Sequence, residues 1–281
     1  MNYKIFNADI KNIPCIIENI INDGFAVINN IFTKKLIDLL FQELIKIPVE
    51  YSQIDPLTRL PIKTLHHFNM HNFGNHFRDL PINNFIDNIN SNLLNDKFYK
   101  LPNNIKSNHI IGQYTARSAQ EALNIHTDDR NPISNSKEPT WIQWLIPLQE
   151  TNIKNGCTIL KPRTHNITDS KIIENTELLP IELKPGQAVC WDGRLLHGAL
   201  ENQNSSTRWA LIMTFTRWYI RQEFNMLASM DEKMIRNLSD REKYLYGATV
   251  SERWSPKEGM SAKGDINYAN KKISQFLNIK N

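Results

Sequence analysis

The chain has 281 residues, 41% hydrophobic and 22% charged, a balance too apolar for a disordered polypeptide. Thirty-three Lys and Arg against 29 Asp and Glu leave a surplus too small and scattered for a nucleic-acid surface, though it suits an anionic small molecule. Three scattered cysteines (Cys15, Cys157, Cys190), no apparent secretory signal and no apolar run near the roughly 18 residues of a membrane helix point to a cytoplasmic protein off the membrane.

In chain order, residues 24–32 (GFAVINNIF) predict a short strand. Thr33 then caps an amphipathic helix in which Leu36, Leu39, Leu40, Leu44 and Ile47 recur at helical spacing. Residues 51–80, rich in Asn, His and Pro, are expected to be irregular. A second helix is predicted from about Pro81 to Leu94, with Ile82, Phe85, Ile86 and Ile89 on its buried face. From about 107 to 220 the pattern is β, with strands at 108–117, 141–149, 187–192 and 208–220. The turns Lys154-Asn155-Gly156 and Lys184-Pro185-Gly186 punctuate this block. Helices return at 221–235 and 239–246, followed by a polar tail with Trp254 and Pro256. The expectation is one domain over 1–281: strand and helices to 106, a β core over 107–220, and C-terminal helices with a tail over 221–281. Its class is mainly β with flanking helices, a jelly-roll, cupin-like barrel.

His126-Thr127-Asp128 places an imidazole and a carboxylate two residues apart, on one side of an extended segment. Alone, such a triplet is usually a surface turn. The later segment GQAVCWDGRLLHGALENQNSSTRWALIMTF adds His197 beside a strand and Arg208 eleven residues on. Two His and one carboxylate with open positions form the facial triad of non-haem Fe(II) oxygenases. A guanidinium inside the same barrel matches a carboxylate bidentately. The strand beginning at Arg208 supports this orientation. Trp209, Leu211, Met213 and Phe215 make one apolar face for helices, whereas Arg208, Ala210, Ile212 and Thr214 make a smaller, more polar face for a lumen.

With these segments in order, the sequence resembles the phytanoyl-CoA dioxygenase family of Fe(II)/2-oxoglutarate-dependent oxygenases. DGFAVINNIF looks like the family's N-terminal strand, and His126-Thr127-Asp128 matches its HxD. WIQWLIPLQETNIKNGCTILKPRTH looks like its Trp-bearing strand, Asn-Gly turn and Pro-x-Ser/Thr-His end. WDGRLLHGALENQNSSTRWAL matches its distal His, the following Asn and the Arg that binds co-substrate; RWYIRQEFN and LSDREKYLYG resemble a tail of bacterial and fungal members. The resemblance implies a double-stranded β-helix with iron on His126, Asp128 and His197. It also implies 2-oxoglutarate chelating that iron and salt-bridging Arg208, with O₂ as oxidant and succinate and CO₂ released. Gln113 and Trp144 are further cofactor-binding candidates. The family's strand Trp falls near Trp144 or Leu145, and Ala199 stands where the family often has Ser.

The implied activity is hydroxylation of an unactivated C–H in a small metabolite. Oxidative cyclisation or desaturation on the same iron is the alternative, and a non-catalytic cupin-like binding protein is the alternative of another class. Asp128 argues against halogenation, which needs the carboxylate position vacated. No basic cluster is placed to hold a CoA diphosphate, and neither substrate nor oligomeric state is legible. His66, His67, His71 and His76 catch the eye as a metal site, but their spacing suits surface or core histidines better, or a loop with one His at the substrate. His165 is expected to support a turn, Asp129 to face away from the iron, Asp192 to sit in a turn, and Cys157 and Cys190 to lie in the core.

Overall fold

The computed structural model describes residues 3–48, 51–54, 61–99, 105–129, 138–167, 170–250, 254–255, 259–260, 267, 269–271 and 273–274. The chain begins with strand β1 (Ile5–Asn7), helix α1 (Ile13–Asp23), β2 (Phe25–Asn29) and α2 (Lys34–Leu44). Next come β3 (Tyr51–Ile54), β4 (Pro61–Phe68), α3 (Asn75–Asp79) and α4 (Asn84–Leu94). The β block comprises β5 (Ile110–Ala119), β6 (Leu123–His126), β7 (Trp141–Pro147) and β8 (Thr158–Leu160). After α5 (Ser170–Asn175) it continues with β9 (Leu179–Ile181), β10 (Ala188–Asp192), β11 (His197–Ala199) and β12 (Arg208–Thr216). Short helices α6 (Met226–Ser229), α7 (Glu232–Arg236) and α8 (Asp240–Leu245) follow, then a small hairpin of β13 (Trp254–Ser255) and β14 (Gly259–Met260).

Two sheets face each other. The larger runs β1-β2-β10-β7-β12-β5-β4-β3, and the smaller runs β6-β11-β8-β9. Every pairing is antiparallel except β1 with β2. The pleat sorts side chains by parity. Trp144, Trp209, Leu211, Met213 and Phe215 of the large sheet join Ile16, Ile37, Leu40 and Ile89 of the helices in one buried cluster. The alternate residues Leu145, Val189, Trp191 and Ala210 pack instead with Leu160 and Ile181 of the small sheet. Full burial of a Leu, Ile or Phe side chain stabilises by about 1.5–3 kcal/mol, so the helical jacket is a main source of stability. The result is the expected jelly roll with helices on one side.

Several boundaries differ from the sequence-based expectation. Thr33 caps α2 by accepting from the Leu36 amide, but Ile37, absent from the expected spacing, is among the residues that α2 buries. The second helix starts at Asn84 because the Asn83 side chain caps it, accepting from Phe85 and Ile86. Residues 51–80 are not wholly irregular: β3 and β4 extend the large sheet there, and His66, His67 and Phe68 pair with Arg117, Ala116 and Thr115. Helix α1, with Pro14 in its first turn, was not anticipated. The C-terminal helix starts at Met226, not 221, behind the Asn225 cap. Trp254 and Pro256 of the tail lie where no side chain is described.

Candidate active site

Antiparallel pairing of β6 with β11 sets His126 directly opposite His197. Their ring centroids lie 4.3 Å apart. Gly198 permits this approach, since a Cβ there would meet the Leu123 carbonyl oxygen at 2.5 Å. Asp128 follows β6 in a turn held by one acceptor: the amides of Asp128 and Asp129 both donate to the Gly193 carbonyl at 2.9 Å. Gly193 belongs to the turn in which Asp192 clamps Arg194, through Nε at 2.9 Å and a terminal nitrogen at 2.7 Å. Asp192 is thus the turn residue expected. Asp129 is buried and accepts from Thr140, away from the imidazoles.

The Nδ1 atoms of His126 and His197 lie 2.7 and 2.9 Å from the carbonyl oxygens of Asn124 and Leu195. A carbonyl only accepts, so each Nδ1 carries the hydrogen in the neutral ring and each Nε2 keeps its lone pair. Those Nε2 atoms face Asp128, 3.6 Å (His126) and 3.2 Å (His197) from its two oxygens. The Oδ2 atom nevertheless accepts no well-formed hydrogen bond from the described residues. Two lone pairs and a carboxylate within 4.8 Å of one another make an electron-rich cluster suited to a cation. Metal bonds of about 2.1 Å put adjacent octahedral donors about 3 Å apart, close to these separations. Burial pushes the Asp128 carboxyl up, but the two imidazoles outweigh it and hold the carboxyl below its ordinary range. The His126 imidazole is pushed up by the Asp128 carboxylate beside it. No other cluster of three or more such donors occurs among the described residues.

The cavity above this cluster is walled by the inward residues of β5, β7 and β12: Gln113, Thr115 and Arg117; Gln143 and Leu145; Arg208, Ala210 and Ile212. Arg208 is buried and donates to the Gly156 carbonyl and, at 3.3 Å, to that of Asn155. The Lys154-Asn155-Gly156 turn expected from the sequence therefore aims the guanidinium. Gly156 sits there at φ +80°, where a Cβ would approach the Leu200 carbonyl oxygen at 2.8 Å. Asn202 donates to the carbonyls of Ala119 and Ser206 at 2.9 Å, tying the loop before Arg208 to the end of β5. Burial brings the Arg208 pKa down to about 10, so it stays charged at neutral pH without a carboxylate partner among the described residues.

Gln113 lines this cavity, as does Ala199. Trp144 does not, which corrects the expectation that it binds a cofactor. It points to the helices, fully buried, and its indole N–H donates to Asn90 at 3.0 Å. Its neighbours Gln143 and Leu145 face the lumen instead, and Gln143 accepts from Thr214 at 2.8 Å. The His-rich segment scatters. His66 lines the cavity, His67 stacks on Trp209, His71 lies 3.1 Å from Ser229, and His76 lies 3.1 Å from Glu43. His165 ties its turn to the end of α1 through the Ile21 carbonyl at 2.9 Å, and Cys157 and Cys190 are buried. Sequence reasoning missed Arg117, Gln143 and Gly193. The parity of Gln113 along β5 could have shown Arg117.

The phytanoyl-CoA dioxygenase (PhyH) family model matches residues 21–210. The dioxygenase olcK of Penicillium canescens is 25% identical over 205 residues, 68% of this chain and 66% of that protein. The dioxygenase swnH1 of Arthroderma benhamiae is 25% identical over 130 residues, 46% of this chain and 41% of that one. The chain thus spans less than two thirds of the length of either relative. Among solved structures, AviO1 of Streptomyces viridochromogenes superposes with a TM-score of 0.56 at 18% identity, covering 72% of this chain and 94% of that one. The epimerase SnoN, in complex with Fe3+, alpha-ketoglutarate and nogalamycin RO, superposes with a TM-score of 0.58 at 12% identity, covering 75% of this chain and 86% of its own. These structures share the fold. With the family model spanning β2, both HxD residues, the distal His and the buried Arg, the chain belongs to the phytanoyl-CoA dioxygenase family.

Proposed function

We propose that the protein is an Fe(II)- and 2-oxoglutarate-dependent dioxygenase that hydroxylates an unactivated C–H of a small metabolite. The observation that carries this reading is the convergence of His126, Asp128 and His197 beneath a cavity that also holds the buried, carboxylate-free Arg208. Held by His126, Asp128 and His197, an iron would supply O₂ activation coupled to oxidative decarboxylation of 2-oxoglutarate to succinate and CO₂. The chain's own residues do the rest. His126 and His197 present Nε2 because Asn124 and Leu195 hold their Nδ1 hydrogens, and Asp128 adds the neutralising carboxylate. Arg208 binds the far carboxylate of 2-oxoglutarate with a planar fork already oriented by two backbone carbonyls. Gln113 adds a polar contact on the same wall. Trp191 packs against His197 at a tilt, with ring centroids 5.1 Å apart, and shields that ligand from water.

A pure binding module has no need of an open three-ligand face together with a buried co-substrate cation. The test is Fe(II)-dependent conversion of 2-oxoglutarate to succinate, stimulated by members of a metabolite panel. Stimulated succinate release with an oxygenated product supports the reading, and the absence of Fe(II)-dependent succinate formation overturns it.

A further inference from the structure

The cavity contains a second cation that the proposed chemistry does not use. Arg117 extends from β5 into the lumen, half-buried, beside Thr115 and Ala119. The other arginines that the fold buries in whole or part have acceptors. Arg208 has two carbonyls, Arg194 has Asp192, Arg241 has Asp87, Arg78 has Asn75, and Arg217 has Glu138 and the carbonyls of Pro139 and Leu93. Arg117 alone among them donates no hydrogen bond and forms no ion pair with any described residue. A guanidinium has five donors, and withdrawing them from water without replacement is costly unless a ligand arrives to meet them.

The acids lining the cavity do not fill this role. Arg117 feels the charge of Asp128, but that carboxylate lies between the two imidazoles. Glu121, on the same wall, forms no ion pair with Arg117. Nor does Arg117 duplicate Arg208. In the β5–β12 register Arg208 opposes Ala119 while Arg117 opposes Ala210, an offset of two residues, or roughly 7 Å along the strands. A carboxylate seated on Arg208 therefore leaves Arg117 free. His66 is directly across from Arg117 on β4 and lines the same wall. Burial and the nearby guanidinium bring its pKa down to about 4, so at neutral pH it is an uncharged hydrogen-bonding neighbour.

We propose that Arg117 is the specificity-determining residue of this site and that the substrate carries an oxyanion, a carboxylate or a phosphate, which Arg117 binds beside His66. This inference rests on the dioxygenase reading. The oxyanion anchors the substrate on the β5 wall while Arg208 holds the co-substrate on β12, so two anions share the lumen on separate cations.

The test uses anaerobic protein loaded with Fe(II) and saturating 2-oxoglutarate, titrated with acetate, inorganic phosphate or neutral acetamide. The readout is Trp fluorescence, to which Trp191 on the cavity wall contributes. Acetate or phosphate is expected to give a saturable response and acetamide none, and the tighter anion identifies the oxyanion class. In Arg117→Gln the anion midpoint rises about 10-fold or more, and Arg117→Lys restores part of it, with the 2-oxoglutarate midpoint unmoved in both. Equal midpoints in wild type and Arg117→Gln, a response to acetamide matching that to acetate, or no response to either anion would overturn the inference. A 2-oxoglutarate midpoint that shifts in Arg117→Gln would overturn it too, by making Arg117 a co-substrate anchor. Failure of the wild type to bind 2-oxoglutarate with Fe(II) would strike the dioxygenase reading itself.

Discussion

On the helix side of the large sheet, Trp144, Trp209, Leu211, Met213 and Phe215 pack into a buried apolar cluster against the helices. One residue away along the same strands, Gln143, Arg208, Ala210 and Ile212 face a cavity with Arg117 and the His126–Asp128–His197 group. The outer face is closed and largely apolar, and there the Trp144 indole N–H donates to Asn90. On the inner face, Arg117 and an Asp128 oxygen have no hydrogen-bond partner among the described residues. The contrast separates two functions within one pleat. Outward residues hold the strands in register, and inward residues keep unmet polar capacity for a metal and ligands. Substitutions on the two faces should therefore fail in different ways.

The largest effect is expected at the metal cluster. Asp128→Ala removes one of three donors, and no other such cluster occurs among the described residues, so turnover is abolished and Fe(II) binding falls steeply, while the metal-free protein loses only the stability that Asp128 contributes above its ordinary pKa. Metal analysis after Fe(II) loading, alongside a urea melt, separates these outcomes. On the outer face the pattern reverses. Trp144→Ala opens a cavity and strands Asn90, at a cost of about 3–5 kcal/mol in stability, with the 2-oxoglutarate midpoint unchanged in the folded fraction. Weakened co-substrate binding in a fully stable Trp144→Ala protein would contradict the division of faces.

Arg208→Ala stands between these extremes. Losing a charge-assisted contact in a shielded site should cost about 2–5 kcal/mol, a ~30-fold or larger rise in the 2-oxoglutarate requirement, with iron binding nearly intact. Anaerobic equilibrium dialysis of labelled 2-oxoglutarate measures this. Gly198→Ala is smaller again. Its methyl meets the Leu123 carbonyl and forces β6 and β11 apart, costing about 1–3 kcal/mol and loosening Fe(II) binding by spreading His126 from His197. Equal iron affinity in Gly198→Ala and wild type would show that this close approach does not set the ligand spacing.

The smallest effect is a pH dependence confined to the metal-free protein. His126 titrates above its ordinary 6.5 in the fold, so its contribution to stability is fully present below that value and lost as pH rises through the folded pKa. Asp128 is held below its ordinary 3.8, so its contribution is present above that value and lost only as pH falls through the folded pKa in strong acid. Melting temperatures of the metal-free protein across about pH 5.5 to 8.5 should decline modestly toward the alkaline end, and the decline should vanish in Asp128→Asn. Bound Fe(II) displaces the same proton, so apparent iron affinity moves the other way and rises with pH.

Much of this was legible in the residues because β strands display their partition every second position. The alternation of Arg208, Ala210 and Ile212 with Trp209, Leu211 and Met213 separated lumen from helix side before any coordinates. His126, Asp128, His197 and Arg208 were visible for the same reason, each at or beside a strand with recognisable turns. Trp144 went astray because every residue of β7 is buried, and a strand buried on both faces gives no polarity signal to fix its phase. Gly193 was invisible because it acts through its carbonyl oxygen, which carries no sequence signature. β3 and β4 hid in a segment dense in Asn, His and Pro, where edge-strand pairing with β5 overrides weak local propensity. Arg117 passed unremarked because an arginine on a strand resembles an ordinary surface cation until its missing partners are counted.

The most direct test of the central claim is an anaerobic crystal structure with Fe(II) and 2-oxoglutarate. The account predicts one ion on Nε2 of His126, Nε2 of His197 and an Asp128 oxygen, with the far carboxylate of 2-oxoglutarate paired bidentately to Arg208 and the Arg117 guanidinium still unengaged. An ion held elsewhere, or a 2-oxoglutarate carboxylate seated on Arg117 with Arg208 left to its backbone carbonyls, would contradict it.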